Sequence, residues 1–238
     1  MKKNLLLLFV IALFATSCQR LIFSIMTNKT EVELSSYYNE KENKTLVMVP
    51  MVHLNRPEFY DDVRNKLDSL RNEGFTVFYE GVVHDTENYS PEQNDTILWK
   101  FRKLIGFSLT THYNDTNNKS TPAYFKNDKY VMQTKKNIGI SDQDLRVDLS
   151  KDTIIKMYER ENGVIALTEC DYNTPLMEKY ECESSGRHQA TQTFRNGYIV
   201  KSTVDSPMNK IALVYGQAHF KWLKLDFIYN HGYREVKS

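Results

Sequence analysis

The chain lacks a basic stripe, a Cys-x-x-Cys pair, low-complexity repeats and any apolar run long enough to cross a bilayer. Each absence excludes something. Lys and Arg number 31 against 30 Asp and Glu, for a formal charge of +1, and they are not clustered. Nucleic acid is therefore not an expected partner. Without Cys-x-x-Cys spacing, the 3 cysteines do not read as a zinc framework. The longest apolar run, Leu5 to Ala15, is about half of the ~20 residues a spanning helix needs. What is present suits one folded domain: 238 residues, 41% apolar and 12% aromatic, with 15 tyrosines.

The N-terminus reads as an export leader. Lys2 and Lys3 form a positive region, the apolar run follows, and Ala15-Thr16-Ser17-Cys18 ends it. This ending resembles a bacterial lipobox, in which residues 1–17 are removed and Cys18 is lipidated. The alternative is ordinary secretion with Cys18 incidental. Lipidation predicts a protein tethered to a membrane of the bacterial cell envelope, facing the periplasm, rather than threaded through it. Loss of the leader lysines takes the formal charge to −1.

Export also frames the other cysteines. Cys170 and Cys182 remain as an even pair in loop-like surroundings, and an oxidising compartment permits a bridge between them. Two free thiols are the alternative.

Residues 18–44 are expected to be a tether or irregular lead-in, with a short strand at Glu31 to Leu34. A single α/β domain is expected over 45–238, with a central, largely parallel sheet and a β-α-β unit at each end. In the first unit, Thr45 to Val52 is an apolar strand ending at His53. A helix follows from Pro57 to Glu73, then Gly74, then a strand from Phe75 to Tyr79 leading into Glu80. A crossover of this length implies parallel strands, with His53 and Glu80 at the same end of neighbouring strands. The last unit repeats the pattern: Lys210 to Tyr215, Gly216, His219, an amphipathic segment, then Gly232-Tyr233 and a terminal strand.

Between the two units, Ser90-Pro91-Glu92-Gln93 is a capping box opening a helix that Gly106 ends. Residues 113–129 read as a long polar loop, either a lid or a surface excursion. A helix is expected at Tyr130 to Asn137, and another from Lys151 to Asn162 between Ser150 and Gly163. A strand is expected at Val164 to Leu167. A further helix, about Gly186 to Val204, carries Arg195 and Asn196.

Ligands in parallel α/β sheets sit at the carboxyl ends of strands, where His53, Glu80 and His219 are all expected. Two histidines and a carboxylate are a donor set for a metal ion, and neutral imidazole also serves as a base. Arg195 suits a carboxylate or a developing oxyanion. The bland reading makes the histidines hydrogen-bonded core residues and Glu80 an exposed strand end. The repetition of the unit favours the functional one. His84, His112, His188 and His231, together with Gln133, Arg146 and Asp148, rank as weaker candidates.

The segment Tyr-Gly-Gln-Ala-His219 followed by Gly232-Tyr233 resembles the C-terminal Gly-x-x-His motif of the TraB/GumN-type family. That family is grouped with TIKI metalloproteases, erythromycin-esterase-like enzymes and ChaN-like haem-binding lipoproteins. His53, Glu80 and the Arg195-Asn196 pair fall at matching places. Pro50 stands where the first motif has glycine, which keeps the turn but stiffens it. The resemblance implies a manganese- or cobalt-type divalent metal held by His53, Glu80 and His219. It also implies catalysis by Glu80, Arg195 and Asn196 on a peptide or small-molecule substrate. Two alternatives stay open: a non-catalytic ligand-binding lipoprotein, with haem held through a tyrosine, and a degenerate structural relative.

Overall fold

The computed structural model describes residues 29–107, 109, 126 and 128–236. The leader, Cys18, His112 and most of the 113–129 loop lie outside the described residues.

Among the described residues, eight strands form two sheets: β1 (Ser35–Asn39), β2 (Lys44–Met51), β3 (Leu54–Asn55), β4 (Thr76–Tyr79), β5 (Val131–Met132), β6 (Leu145–Arg146), β7 (Lys210–Gly216) and β8 (Arg234–Val236). The six-stranded central sheet has the order β6-β4-β7-β2-β1-β8. β6, β4, β7 and β2 run parallel, and β1 is antiparallel to both β2 and β8. β3 and β5 form a separate two-stranded ladder. The helices are α1 (Pro57–Asn72), α2 (Pro91–Ile105), α3 (Lys151–Asn162), α4 (Glu169–Asn173), α5 (Phe194–Val204) and α6 (Gln217–His231). A π-helical turn, Gln189–Thr193, leads directly into α5.

Alternation along the central strands assigns the two faces, as the period of two in a strand requires. Val47, Val49 and Met51 of β2, with Ala212 and Val214 of β7, pack against Phe59, Val63 and Leu67 of α1. The intervening Leu46, Met48, Ile211, Leu213 and Tyr215 pack against Ile199 of α5 and Leu223 and Phe227 of α6. A third cluster joins Leu104 of α2, Ile154 of α3 and Phe194 of α5. The first two clusters thus lie on opposite faces of the central sheet, and α5 contributes to both the second and the third.

Local signals account for the helix ends. Ser90 and Gln93 make both halves of the capping box, and Gly106 closes α2 at φ 70°. That left-handed conformation is one only glycine adopts readily. Ser150 caps α3 through the Thr153 amide.

Four expectations need correction. β2 and β4 are parallel, but they are not neighbours, because β7 lies between them. Residues 130–137 hold β5 and a turn rather than a helix, since Asn137 and Thr134 cap each other's backbone in a tight loop. Residues 164–167 form no strand. The strand expected at Glu31 to Leu34 lies instead at Ser35–Asn39, and Val32 is already buried in the core. Among the described residues, no helix is long and apolar enough to cross a membrane.

Candidate functional site

The site forms where β4, β6 and β7 end together. Parallel pairing sets their levels: Tyr79 lies opposite Arg146 on β6 and Val214 on β7. Glu80, Asp148 and Gly216 therefore emerge at one edge. α5 brings Arg195 and Asn196 to the same place in its first turn, and α6 brings His219 in its own first turn.

Arg195 is the hub. Its Nε donates to Asp148 Oδ1 at 2.9 Å and its Nη2 to Asp148 Oδ2 at 2.6 Å. Nη2 also reaches Glu80 Oε1 at 2.5 Å. Asp148 further accepts the amides of Gly81 and Leu149, so each of its oxygens has two donors. The second Glu80 oxygen, Oε2, accepts the Gly216 amide at 2.6 Å. All of these side chains are largely buried. Burial opposes charge on Glu80, but His219 and Arg195 outweigh it and hold the carboxyl well below its usual range. Burial likewise opposes charge on Arg195, and the bonds to Asp148 and Glu80 reverse that effect.

His219 is buried, at 3% exposure. Its Nδ1 lies 2.5 Å from Asn196 Oδ1. An amide oxygen only accepts, so Nδ1 bears the proton. Its other nitrogen, Nε2, faces Glu80 Oε1 at 3.5 Å. Gly216 explains the short motif. A Cβ there would stand 3.2 Å from Glu80 Oε2 and 3.8 Å from the His219 ring. Glycine lets the backbone amide come close enough to bind the carboxylate.

His53 occupies different ground. It sits in a bend after β2, exposed, with its carbonyl accepting the Gln133 amide at 2.9 Å. Tyr60 OH binds the Val52 carbonyl just before it. The two histidines of the repeated unit are thus not equivalent: one is buried in a helix, the other exposed in a bend.

Both levels meet in a cavity of about 520 Å³, within the roughly 300–1,000 Å³ common for small-molecule sites. His53, Glu80, Gln133, Lys151 and Arg195 line it among a majority of apolar side chains. His219 and Asn196 stand behind Glu80 and Arg195 and are not in the lining.

No family model, curated protein or solved structure matches the chain.

Metal ligation can be tested against the donors. Among the described residues, no group of three or more His, Cys, Asp or Glu side chains is placed to hold an ion. His53, Glu80 and His219 do not form one in this arrangement. The Arg195 guanidinium takes the cation position beside Glu80 instead.

Asp148, a weaker candidate in the sequence, is the two-pronged acceptor of Arg195 in this cluster. It follows a strand of only two residues, Leu145 and Arg146, which leaves little signal in the sequence. Arg146, two residues earlier on β6, donates to the carbonyls of Gly81 and Asp148. His84 is not drawn in: among the described residues, neither of its ring nitrogens meets a hydrogen-bond partner. Cys170 and Cys182 are joined in a disulfide with Cα atoms 6.0 Å apart. Leu176 and Met177, inside the loop that it closes, form part of the cavity wall.

Proposed function

We propose that the cavity is the active site of an envelope hydrolase acting on an ester or peptide, tethered to the membrane through lipid on Cys18. One observation chiefly supports this reading: His53, Glu80 and Arg195 open onto one small-molecule-sized cavity at the carboxyl edge of a parallel sheet. The resemblance of the His53, Glu80, Arg195-Asn196 and His219 motifs to the TraB/GumN-type family points the same way.

In this reading, His53 takes a proton from water as it attacks the substrate carbonyl. Negative charge develops on the carbonyl oxygen. Arg195 Nη1 has only a long 3.4 Å bond to the Thr191 carbonyl, so it has N–H groups left for that oxyanion. On collapse, the leaving oxygen or nitrogen recovers the proton from His53. Glu80 and Asp148 hold the guanidinium in place, and Asn196 and His219 support Glu80. No step is assigned to a metal, because the three expected ligands do not fit one ion as they stand. The second reading is a non-catalytic carrier, favoured by the apolar lining. For haem held through a tyrosine, the ligand would have to come from outside the described lining, which contains no tyrosine.

The test is hydrolysis of a panel of esters and peptides, with metal content measured on the same samples. His53→Ala should lose about 10²–10⁴-fold in rate. A panel left uncleaved by the wild type, or cleaved equally by His53→Ala and Arg195→Ala, would refute the hydrolase. Metal lost in Glu80→Ala but present in the wild type would restore the ion to the site.

A further inference from the structure

The cavity lining divides by chemistry. Val82, Phe101, Ile105, Leu109, Leu176 and Met177 make an apolar wall. Two cationic side chains face the same space, and they differ in one respect. Arg195 is neutralised by Glu80 and Asp148. The Lys151 ammonium makes no ion pair or hydrogen bond among the described residues. Its backbone is fixed, with its amide donating to the Val83 carbonyl at 2.9 Å, and its Nζ lies 5.6 Å over the Phe101 ring. Burial pushes its pKa down. Asp85 is the carboxylate whose field opposes that shift, and His84 is depressed by its own burial first and then by Lys151. On the same lining, Gln133 Oε1 is buried without a partner.

An ammonium that is partly desolvated and lacks a counter-ion is costly. An anion delivered by a ligand would offset that cost, and the apolar wall would take the rest of such a molecule. We infer that the site selects single-chain apolar compounds bearing one carboxylate, with the chain against the Val82–Phe101–Met177 wall and the carboxylate on Lys151. This rests on the cavity being the substrate site, as proposed above.

The test is calorimetric binding of dodecanoate and of dodecanol, its uncharged counterpart, to the purified full chain. The wild type should bind dodecanoate at least about tenfold more tightly, as a charge-assisted bond implies. Lys151→Met should remove that preference while keeping the affinity for dodecanol, and Lys151→Arg should restore it. Equal affinities in the wild type, binding of neither compound, or a preference that survives Lys151→Met would each overturn the inference. The wild-type comparison decides the matter even if Lys151→Met does not fold. The assay involves no turnover. Charge-selective binding without hydrolysis would therefore sink only the hydrolase, and hydrolysis without charge preference would sink only the assignment of Lys151.

Discussion

Arg195 holds Asp148 through two parallel bonds, of 2.9 and 2.6 Å, although 47 residues separate them in the chain. The same guanidinium then reaches Glu80 with the nitrogen it shares between the two carboxylates. Two buried carboxylates depend on one planar group.

Removing that group should be expensive. Arg195→Met leaves two buried carboxylates facing each other, and loss of one partner in such a cluster costs about 3–5 kcal/mol. Arg195→Lys should recover only part of this, because an ammonium cannot span Asp148 in two-pronged fashion. Urea unfolding of both variants measures the difference. A loss below about 1 kcal/mol in Arg195→Met would show that the cluster is not holding the sheet edge together.

Asn196 and His219 give a spectroscopic prediction. With Nδ1 bonded to the Asn196 oxygen, ring nitrogen resonances should show a proton on Nδ1 in the wild type. Asn196→Ala leaves that N–H buried without an acceptor, at a cost of about 1–3 kcal/mol. A spectrum with Nδ1 unprotonated at neutral pH would reverse the direction of this bond.

Acid stability should depend on Asp171, which is fully buried in α4. Burial raises the pKa of this carboxyl, but bonds from Lys103, Tyr180 and Thr168 prevail and bring it from 3.8 down to about 2. A depressed folded-state pKa stabilises fully above the unfolded value. Its contribution, about 2 kcal/mol, is then lost as pH falls through ~4 towards ~2. Asp171→Asn should flatten this part of the stability-versus-pH curve. An unchanged acid limb would assign the loss to other carboxylates, Glu80 foremost.

The disulfide should matter locally. Its partners are 12 residues apart, and closing so short a loop is worth about 3 kcal/mol by chain entropy. Replacing Cys170 and Cys182 by serine together should lower stability by up to that amount. It should also weaken dodecanol binding, because Leu176 and Met177 lie inside the loop. Binding unaffected by the double replacement would mean that the Arg102 bonds to the Thr174 and Pro175 carbonyls hold this wall alone.

Much of this was legible in the chain itself. Strong apolar runs marked β2 and β7, and strand-end logic marked Glu80 and His219, because buried parallel strands leave a continuous hydrophobic record. Strand order was not legible: nothing in the residues of β2 or β4 says that β7 inserts between them. β6 left almost no trace. It is two exposed residues, Leu145 and Arg146, and Asp148 follows a strand too short to announce itself. β1 was hidden in Ser-Ser-Tyr-Tyr-Asn, where only Tyr37 and Asn39 face inward. The two histidine units look alike in sequence, yet Gly216 and Pro50 send the chain on differently. Met51 lies opposite Gly216 and Pro50 opposite Tyr215, so the repeat is out of step by one residue.

The π-helical turn at Gln189–Thr193 sets the angular phase of everything after it. It winds wider than an α-helix, and one residue corresponds to roughly 100° of rotation about the axis. A chain shortened by one residue there would relax into a regular spiral and carry residues 195 and 196 a quarter-turn or more off target. The alignment of Arg195 and Asn196 with Glu80 and His219 is therefore written in the backbone's local over-length.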